Sequence, residues 1–184
     1  DNQIVFVRHA ITGEIAKVKI TAINSTFAFG DAIEIIKSSK NRVPSPCKYS
    51  HPEGCGGCDF QHIKYSVQSD LKKQVLQDQF KRIAKIDISP DIIIPNPSDG
   101  LHWRSRLNLA ISEDNKAGFR AYKSNDVIEI DECLIALKEI NNSDIFRTSW
   151  DGEENLKISC SNTNELNVSQ LEKSISGPDK LTEN

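Results

Sequence analysis

The sequence contains no methionine, no apolar run of membrane-spanning length and no leader in which a charged segment precedes an apolar one. The missing apolar run excludes a membrane-spanning helix in these residues. The missing leader favours a cytoplasmic protein over a secreted one. A chain without methionine that starts abruptly at Asp1 is expected to be processed or, as we prefer, to be a piece of a longer protein.

Cysteine is scarce and unevenly placed, with five residues in a chain of 184. A secreted disulfide framework would normally have an even and denser set. Instead, Cys47, Cys55 and Cys58 lie close together, whereas Cys133 and Cys160 stand apart. In a reducing compartment such a group is typical of a metal site rather than of disulfides.

Positive charge is not in excess, because the formal net charge is −3. This value argues against a protein that binds nucleic acid over its whole surface. The charge is unevenly distributed: residues 124–184 carry a net charge of −8 and residues 1–123 a net charge of +5. The asymmetry indicates that the basic first part carries the function and that the acidic remainder is solvated. An ordinary scatter of charges over a protein surface explains the asymmetry equally well.

The first part of the chain has the pattern of β-strands. Polar and apolar residues alternate from Ala16 to Ile20, as they do in a half-buried strand. Turn-prone pairs at Thr12-Gly13 and Asn24-Ser25 separate three runs, QIVFVRHA, EIAKVKITAI and FAFGDAIEII. Three short strands with tight turns predict a small β-barrel, whose first strand would lie upstream of Asp1.

The rest of the chain alternates between loop, helix and strand patterns. Residues 43–59 contain three prolines and three glycines and predict a loop. Residues 65–85 have apolar residues on one face and predict a helix, and the IIIPNPSDG stretch forms a link after Ser89-Pro90. A second β region follows in WRSRLNLAI, AGFRAY and DVIEIDECLI, then a short helix in LIALKEINNSDIF and strand fragments in ISCS and ELNV.

The cysteine spacing predicts a metal centre. The pattern C-x7-C-x2-C supplies three thiols from the loop, and Cys133 supplies a distant fourth. Four thiolates suit tetrahedral zinc or an iron–sulfur cluster, and three close ligands with one distant ligand favour the cluster while leaving zinc open. Cys160 is interpreted as a buried core thiol. His51 and His62 are interpreted as structural residues or as support for the ligands.

With these residues in place, the sequence resembles the S-adenosylmethionine-dependent RNA uracil-C5 methyltransferases, which modify ribosomal and transfer RNA. The resemblance covers residues 1 to about 140, and its most specific part is CGGCDFQH with the Tyr, Gln and Lys downstream. The matching residues are Ser39, Arg42-Val43, Pro46-Cys47, CGGCDFQH, Tyr65, Gln68, Lys72, Trp103-Arg104-Ser105-Arg106, Gly118-Phe119 and Ile130-Asp131-Glu132-Cys133. Trp103 departs from the tyrosine that is common in the family.

The resemblance implies a fold class and a domain order. It implies an α+β, mostly β chain in which residues 1–43 form a TRAM-like RNA-binding β-barrel that lacks its beginning. Residues 44–184 would form a central RNA-recognition domain, with Cys47, Cys55, Cys58 and Cys133 binding a [4Fe–4S] cluster. The Rossmann-like catalytic domain is expected to be absent, since no glycine-rich strand–loop–helix occurs. The helix at 64–86 would pack on that missing C-terminal catalytic domain.

The function implied by the resemblance is recognition of RNA, ribosomal rather than transfer RNA, with no membrane partner. S-adenosylmethionine would bind only the full-length protein, so no catalytic residue is expected in this chain, which alone should be inactive. Residues expected to contact phosphates are Lys37, Lys40, Arg42, Lys48, Arg104 and Arg106, and those expected to stack on bases are Phe60 and Trp103. Each of these residues has an ordinary alternative: basic residues at a surface are usually only solvated, and Phe60 and Trp103 are more often part of a core.

Two other function classes remain open from the residues alone. The first is a stand-alone nucleic-acid-binding module that a zinc site of four cysteines stabilises and that has no enzymatic activity. The second is a ferredoxin-like electron carrier, which the wide separation of Cys58 and Cys133 and the basic surface disfavour. Metal content separates the zinc module from the cluster-bearing protein.

Overall fold

The structure is a computed structural model that describes residues 3–91 and 99–170. The first part of the chain contains β1 (Ile4–Arg8), β2 (Ile15–Ile23) and β3 (Phe27–Lys37). Helix α1 (Tyr65–Gln79) follows and continues into a π-helical turn (Phe80–Ala84). The later elements are β4 (Arg106–Ile111), β5 (Ala117–Arg120), β6 (Val127–Glu129), α2 (Lys138–Asn142), a 3-10 turn (Asp144–Phe146), β7 (Asn155–Cys160) and β8 (Leu166–Gln170).

The first three strands form one sheet in the order β1-β3-β2. Strand β3 pairs with β1 in parallel and with β2 in antiparallel orientation. The prediction of three strands is confirmed. In the described residues they form an open sheet, and the barrel that lacks its first strand stays a prediction. Alternating polar and apolar residues identify a strand, whereas they do not determine its neighbours. Here β3 pairs along both edges, and no described residues of β1 and β2 pair to close the sheet.

The loop after β3 is closed at its base by backbone contacts and attached to the segment before β2 by the Arg42 side chain. Arg42 and Ile63 form an isolated antiparallel bridge, and the Val43 N–H donates to the His62 carbonyl over 3.0 Å. The Arg42 guanidinium also donates to the Glu14 carboxylate, with Nε–Oε1 and Nη2–Oε2 distances of 2.6 Å each. The loop that carries three of the cysteines is therefore fixed at its base.

Helix α1 is the only α-helix of more than five residues in the described ranges, and it buries none of its side chains. The predicted helix is confirmed, although its apolar residues do not enter a core. Gln68 attaches the helix to the preceding loop by donating to the carbonyls of Phe60 and Ile63, over 3.1 Å in each case. The π-helical turn that continues the helix ends before Lys85, which adopts a left-handed conformation with φ of 60°. Most of the predicted link, residues 92–98, lies outside the described residues.

The second sheet contains the main core. Its five strands run antiparallel in the order β6-β5-β4-β7-β8. The apolar side chains of β4 and β7 pack with α2 and the 3-10 turn, and the fully buried members include Leu107, Leu109, Ile140, Leu156 and Ile158. Cys160 belongs to this core, which confirms its interpretation as a buried thiol. In the described part of the chain, no helix is long and apolar enough to cross a membrane.

Candidate functional site

Four of the five cysteines converge on one cavity between the loop and the second sheet. Cys47, Cys55 and Cys58 come from the loop, and Cys133 comes from the segment after β6. The wall of the cavity is completed by Tyr49, Ser50, Gln61, Phe119, Ile130, Glu132, Leu134 and Ile135. We call this group of four thiols the cysteine centre. All four are free and partly buried, and Cys160 lies in the core instead.

Tight backbone packing places Cys55 in the cysteine centre. The Cys55 N–H donates to the Tyr49 carbonyl over 2.9 Å, and Cys55 forms a bridge with Ala121 at the end of β5. The residues on either side must be small: a Cβ atom at Gly54 would lie 2.2 Å from the Tyr49 oxygen, and one at Gly56 would lie 3.0 Å from the backbone of Tyr122. The glycines around the thiols therefore allow the loop to lie directly on the second sheet.

Side-chain hydrogen bonds place Cys133 opposite the loop. The Asn141 amide accepts from the Cys133 N–H over 2.9 Å and donates to the Cys133 carbonyl over 3.0 Å. Two residues earlier, Asp131 accepts from the Tyr49 hydroxyl over 2.7 Å and from Lys48 Nζ over 2.6 Å. Cys133 is thus held by α2 on one side and by the loop on the other.

Three thiols of the cysteine centre, those of Cys55, Cys58 and Cys133, resist ionisation. Burial raises the pKa of Cys55 to about 11, opposed by the Gly57 N–H at 3.4 Å from Sγ. Burial also raises the pKa of Cys58 and of Cys133, and the neighbouring thiols act in the same direction. Because burial disfavours their negative charge, thiolates in such surroundings need a neighbouring cation to stabilise them.

The cysteine centre has the ligand chemistry of a metal or cluster site. Among residues 3–91 and 99–170, no group of three or more Cys, His, Asp or Glu is close enough to hold a single metal ion as arranged. The donor chemistry nevertheless fits: four thiols line one cavity, and four thiolates are the ligand set of iron–sulfur clusters and of structural zinc. The ligand type, four thiols, therefore suits either zinc or a cluster, although the thiols are not close enough to hold a single ion as arranged.

A second cavity lies between the first sheet and the loop. It is open, has a volume of about 530 Å³, and is lined by three histidines, His9, His51 and His62, together with Arg42. We call it the histidine cleft. The rings of His9 and His62 lie 5.9 Å apart, centroid to centroid. Burial lowers the pKa of both imidazoles, so both are neutral at pH 7.

Cations and aromatic rings meet on the surface where the first sheet approaches the β5–β6 turn. The Arg8 guanidinium lies 3.4 Å from the centroid of the Tyr122 ring, and Lys123 Nζ lies 4.1 Å from that of Phe29. The ring of Phe6 packs 5.7 Å from that of Phe29, and Phe6 is 54% exposed. We call these five residues the aromatic–cation surface. Exposed rings beside cations can stack with bases and attract phosphates.

The residues predicted to bind RNA are placed differently from one another. Trp103 is 51% exposed, with the Arg104 guanidinium 5.4 Å from its ring. Phe60 is half-buried, with Lys72 Nζ 5.8 Å from its ring. Arg42 is bound to Glu14, so its guanidinium is not free for a phosphate. Lys48 is exposed but paired with Asp131, and the remaining predicted contacts, Lys37, Lys40 and Arg106, are exposed.

Sequence reasoning missed the aromatic–cation surface and the histidine cleft. Arg8, Phe29 and Tyr122 come from three separate segments, and the sequence gives no sign that these segments meet. His62 stands in the CGGCDFQH motif, which was a signal, but the four cysteines were sufficient to explain that motif. Both features depend on how the first sheet and the loop pack together.

Comparisons with known proteins agree with the resemblance seen in the sequence. Residues 1–33 match the TRAM domain family. An uncharacterized RNA methyltransferase of Streptomyces coelicolor is 34% identical over 83% of this chain and 36% of its own length. The 23S rRNA (uracil(1939)-C(5))-methyltransferase RlmD of Methylococcus capsulatus is 36% identical over 73% of this chain and 31% of its length. The chain thus spans about a third of the curated relatives that it matches.

A solved structure has a similar fold. It is the Pyrococcus abyssi tRNA (uracil-54, C5)-methyltransferase in complex with S-adenosyl-L-homocysteine, which is 21% identical to this chain. The match has a TM-score of 0.56 and covers 89% of this chain and 40% of that chain. At this level of identity the match shows the fold alone.

These comparisons correct the expected fold class. The expectation that a Rossmann-like catalytic domain is absent is wrong, because relatives named RNA methyltransferases match 83–85% of this chain, and the similar structure is a methyltransferase solved with S-adenosyl-L-homocysteine. The expectation rested on where the sequence stops, which says nothing about the domains of the protein. The described residues are mostly β.

Proposed function

Because the chain is homologous to RNA methyltransferases, among them uracil-C5 methyltransferases of 23S rRNA, we propose that it is the RNA-recognition and iron–sulfur portion of an RNA (uracil-C5)-methyltransferase. The protein uses S-adenosylmethionine as the methyl donor and acts on ribosomal RNA in the cytoplasm. The RlmD relatives support the choice of ribosomal RNA. The described residues are assigned to RNA binding, and no catalytic step is assigned to them.

The aromatic–cation surface is the observation that carries the RNA-binding role. A methyltransferase that acts on uracil C5 needs an unstacked base, and unstacking costs a few kcal/mol. Stacking on exposed rings and contacts with phosphates offset this cost. Phe6, Tyr122 and Lys123 provide both kinds of contact in one place, on a chain whose first 33 residues match the TRAM domain. Exposed Trp103 and half-buried Arg104 form a second pair of the same kind.

The cysteine centre is proposed to bind a [4Fe–4S] cluster through Cys47, Cys55, Cys58 and Cys133. Methyl transfer to uracil requires no electron, so the role proposed for the cluster is structural: a fixed cross-link between the loop and the second sheet. Bonds to iron would stabilise the thiolates and so offset the free-energy cost of ionising these buried thiols. A zinc module without enzymatic activity, held by the same four cysteines, is the second candidate, because four thiols also suit zinc.

Metal analysis of matched cysteine variants tests this proposal. Iron, acid-labile sulfide and zinc are measured per chain, with a visible spectrum, after purification without oxygen. We expect four irons with equal sulfide in the wild-type protein, from the cluster formula, and loss of both in Cys58→Ser. Cys160→Ser makes the same chemical change in the core and should keep the iron.

The outcomes separate the candidates. One zinc without sulfide would support the zinc module. Metal-free wild-type protein that is folded would contradict both versions of the metal site. If Cys58→Ser keeps its melting temperature and its RNA affinity, the proposed structural role of the cluster is wrong. RNA binding is measured in the same preparations, and wild-type protein that binds no single-stranded RNA would contradict the RNA-recognition role.

A further inference from the structure

Arg8 of the aromatic–cation surface is held in place by three neighbours. Its Nε donates to Asp31 Oδ1 over 2.9 Å, and its Nη2 donates to His9 Nε2 over 3.3 Å. Arginine has no acceptor, so His9 accepts this bond through a ring lone pair. The central carbon of the guanidinium lies 3.4 Å from the centroid of the Tyr122 ring. The guanidinium is therefore fixed at its edge by hydrogen bonds and at its face by an aromatic ring.

The charge of Arg8 is already matched by a carboxylate. The side chain of Arg8 is 19% exposed and that of Asp31 is 12% exposed, so this ion pair is largely shielded from solvent. The two opposite charges nearly cancel for a phosphate that approaches from outside. Any effect of Arg8 on RNA binding must therefore pass through the ring on which it lies.

The Tyr122 ring is fixed at its base and remains accessible. Its backbone follows the end of β5, where the Ala121 N–H donates to the Asp126 carbonyl over 2.9 Å. A Cβ atom at Gly56 would lie 3.0 Å from the Tyr122 backbone, which shows how closely the loop packs there. Tyr122 is nevertheless 42% exposed, although the guanidinium lies on its ring. An accessible ring with a fixed orientation can stack with a base at a low cost in conformational entropy.

We propose that Asp31 is a positioning residue for RNA binding: it holds Arg8 flat against Tyr122 and so fixes the ring on which an unpaired base stacks. This inference rests on the proposed RNA-recognition function and identifies a residue on which the aromatic–cation surface depends. Asp31 lies in β3 and Tyr122 in the β5–β6 turn, so the first sheet and the second contribute to the platform together. An acidic side chain thus promotes the binding of a polyanion, which is the opposite of its direct electrostatic effect.

Two substitutions in the full protein test this role. Asp31→Asn removes the charge that holds Arg8 and makes the surface more positive. Arg8→Lys keeps the positive charge but replaces the planar group that stacks on the ring by a compact ammonium. Asp114→Asn makes the same chemical change as Asp31→Asn at an exposed position between β4 and β5, and it serves as the control. Affinity is measured by fluorescence anisotropy with a labelled, mixed-sequence single-stranded RNA of roughly ten nucleotides, over a range of salt concentrations.

We expect Asp31→Asn and Arg8→Lys each to bind RNA about two- to tenfold more weakly, which corresponds to the loss of one contact between a cation and a ring. Direct electrostatics predicts the opposite sign for Asp31→Asn, because the removal of an acid favours the approach of phosphates. The slope of log affinity against log salt should keep its wild-type value in Arg8→Lys, since Arg8 contacts no phosphate in this arrangement. Asp114→Asn should not weaken binding.

A double-mutant cycle with Tyr122→Ala separates positioning from a general loss of stability. If Asp31 acts through the ring, the protein with both substitutions binds RNA no more weakly than Tyr122→Ala alone. Losses of affinity that add in this cycle would show that Asp31 does not act through Tyr122 and would overturn the inference. Melting temperatures are measured on the same preparations. If Asp31→Asn does not fold, the same cycle with Arg8→Lys decides.

Other outcomes also contradict the positioning role. An affinity of Asp31→Asn for RNA that equals or exceeds that of the wild type would show that Asp31 acts only through its charge. Unchanged affinity in Tyr122→Ala would show that no base stacks on this ring. In both cases the wild-type protein still binds RNA and the proposed function stands, whereas wild-type protein that binds no RNA contradicts the proposed function itself.

Discussion

The Glu14 carboxylate connects several segments of the chain and is completely shielded from solvent. It accepts hydrogen bonds from Arg42 and from the backbone N–H groups of Ile11 and Ser39, both over 2.9 Å. The hydrogen bonds from Arg42 lower the pKa of Glu14 to about 2, from an ordinary value of 4.5. This residue therefore contributes stability in its charged form.

At the residue scale we predict that Glu14→Gln lowers the free energy of unfolding by about 3 kcal/mol at pH 7, because it leaves the Arg42 charge without its partner. The contribution of Glu14 has a defined pH dependence. Since its folded pKa lies below the unfolded value, the stabilisation is fully present above about pH 4.5 and is lost as the pH falls towards about 2. Denaturant unfolding at pH 7 and pH 3 measures both effects.

The control is an ion pair of the same type at the surface. Lys19 and Glu53 lie 3.2 Å apart, and their side chains are 61% and 79% exposed. Glu53→Gln should change the free energy of unfolding by less than about 0.5 kcal/mol. Equal effects of the two substitutions on the free energy of unfolding would show that Glu14 does not act through its charge. A difference in this free energy between wild type and Glu14→Gln that does not narrow at pH 3 would show the same.

Individual residues could be predicted only where local chemistry determines their role. The convergence of Cys47, Cys55, Cys58 and Cys133 follows from thiol spacing and glycine content, and the structure places all four around one cavity. Arg42 looked like a phosphate ligand because it is basic and lies in a loop. Its actual partner is Glu14, which is 28 residues earlier, and no local pattern indicates such a pairing.

At the scale of elements, α1 contrasts with the strands of the second sheet. No side chain of the helix is buried, and Val75 in α1 and Ile83 in the π-helical turn are more than half exposed. Isolated helices of this length are marginal in water, because most helical stability in proteins comes from packing. Strands β4 and β7, in contrast, contribute four of the five largest fully buried side chains.

We therefore predict that the backbone amides of α1 exchange with solvent on the order of a hundredfold faster than those of β4 and β7. Hydrogen–deuterium exchange with mass spectrometry resolves the two regions in one experiment. Gln68→Ala, which removes both hydrogen bonds to the loop, should increase exchange in the helix and leave the strands unchanged. If the backbone amides of α1 are as protected from exchange as those of β4, the helix packs against another part of the protein or a second molecule.

The elements themselves were largely predictable, and their arrangement was not. Alternation and turn residues located β1 to β3, and all later strands overlap the predicted runs. The neighbours of a strand depend on long-range pairing, so the parallel pair of β1 and β3 could not be deduced from alternation. The π-helical turn at 80–84 likewise has no signal in the apolar pattern.

At the scale of the whole molecule, the loop lies between two sheets and contacts both. Arg42 fixes it to the segment before β2, and Cys55 and Asp131 fix it to the second sheet. The histidine cleft lies on one side of this loop and the cysteine centre on the other, with Ser50 lining both cavities. A cluster that holds the loop would therefore also preserve the shape of the cleft.

The domain content of the molecule was the part least accessible from this sequence. The expected absence of a catalytic domain was drawn from the last residues of the chain, whereas the relatives are about three times as long as the matched region. The predicted boundary at residue 43 stays a prediction. It agrees with the position of Arg42 at the base of the loop, 9 residues after the end of the TRAM match.

Substitutions separate the contributions of charge and of stacking to RNA binding by the aromatic–cation surface of the whole protein. Lys123→Asn removes a cation and keeps a residue that tolerates the left-handed conformation found there, with φ of 53°. It should reduce the slope of log affinity for single-stranded RNA against log salt by about 0.7, the value for one phosphate contact. Phe6→Ala should weaken binding by about 1–3 kcal/mol with the slope unchanged, because stacking releases no counterions.

Lys138→Gln, which removes an exposed lysine of α2, should alter neither quantity. An unchanged slope in Lys123→Asn, measured by anisotropy over a range of salt concentrations, would place the RNA elsewhere.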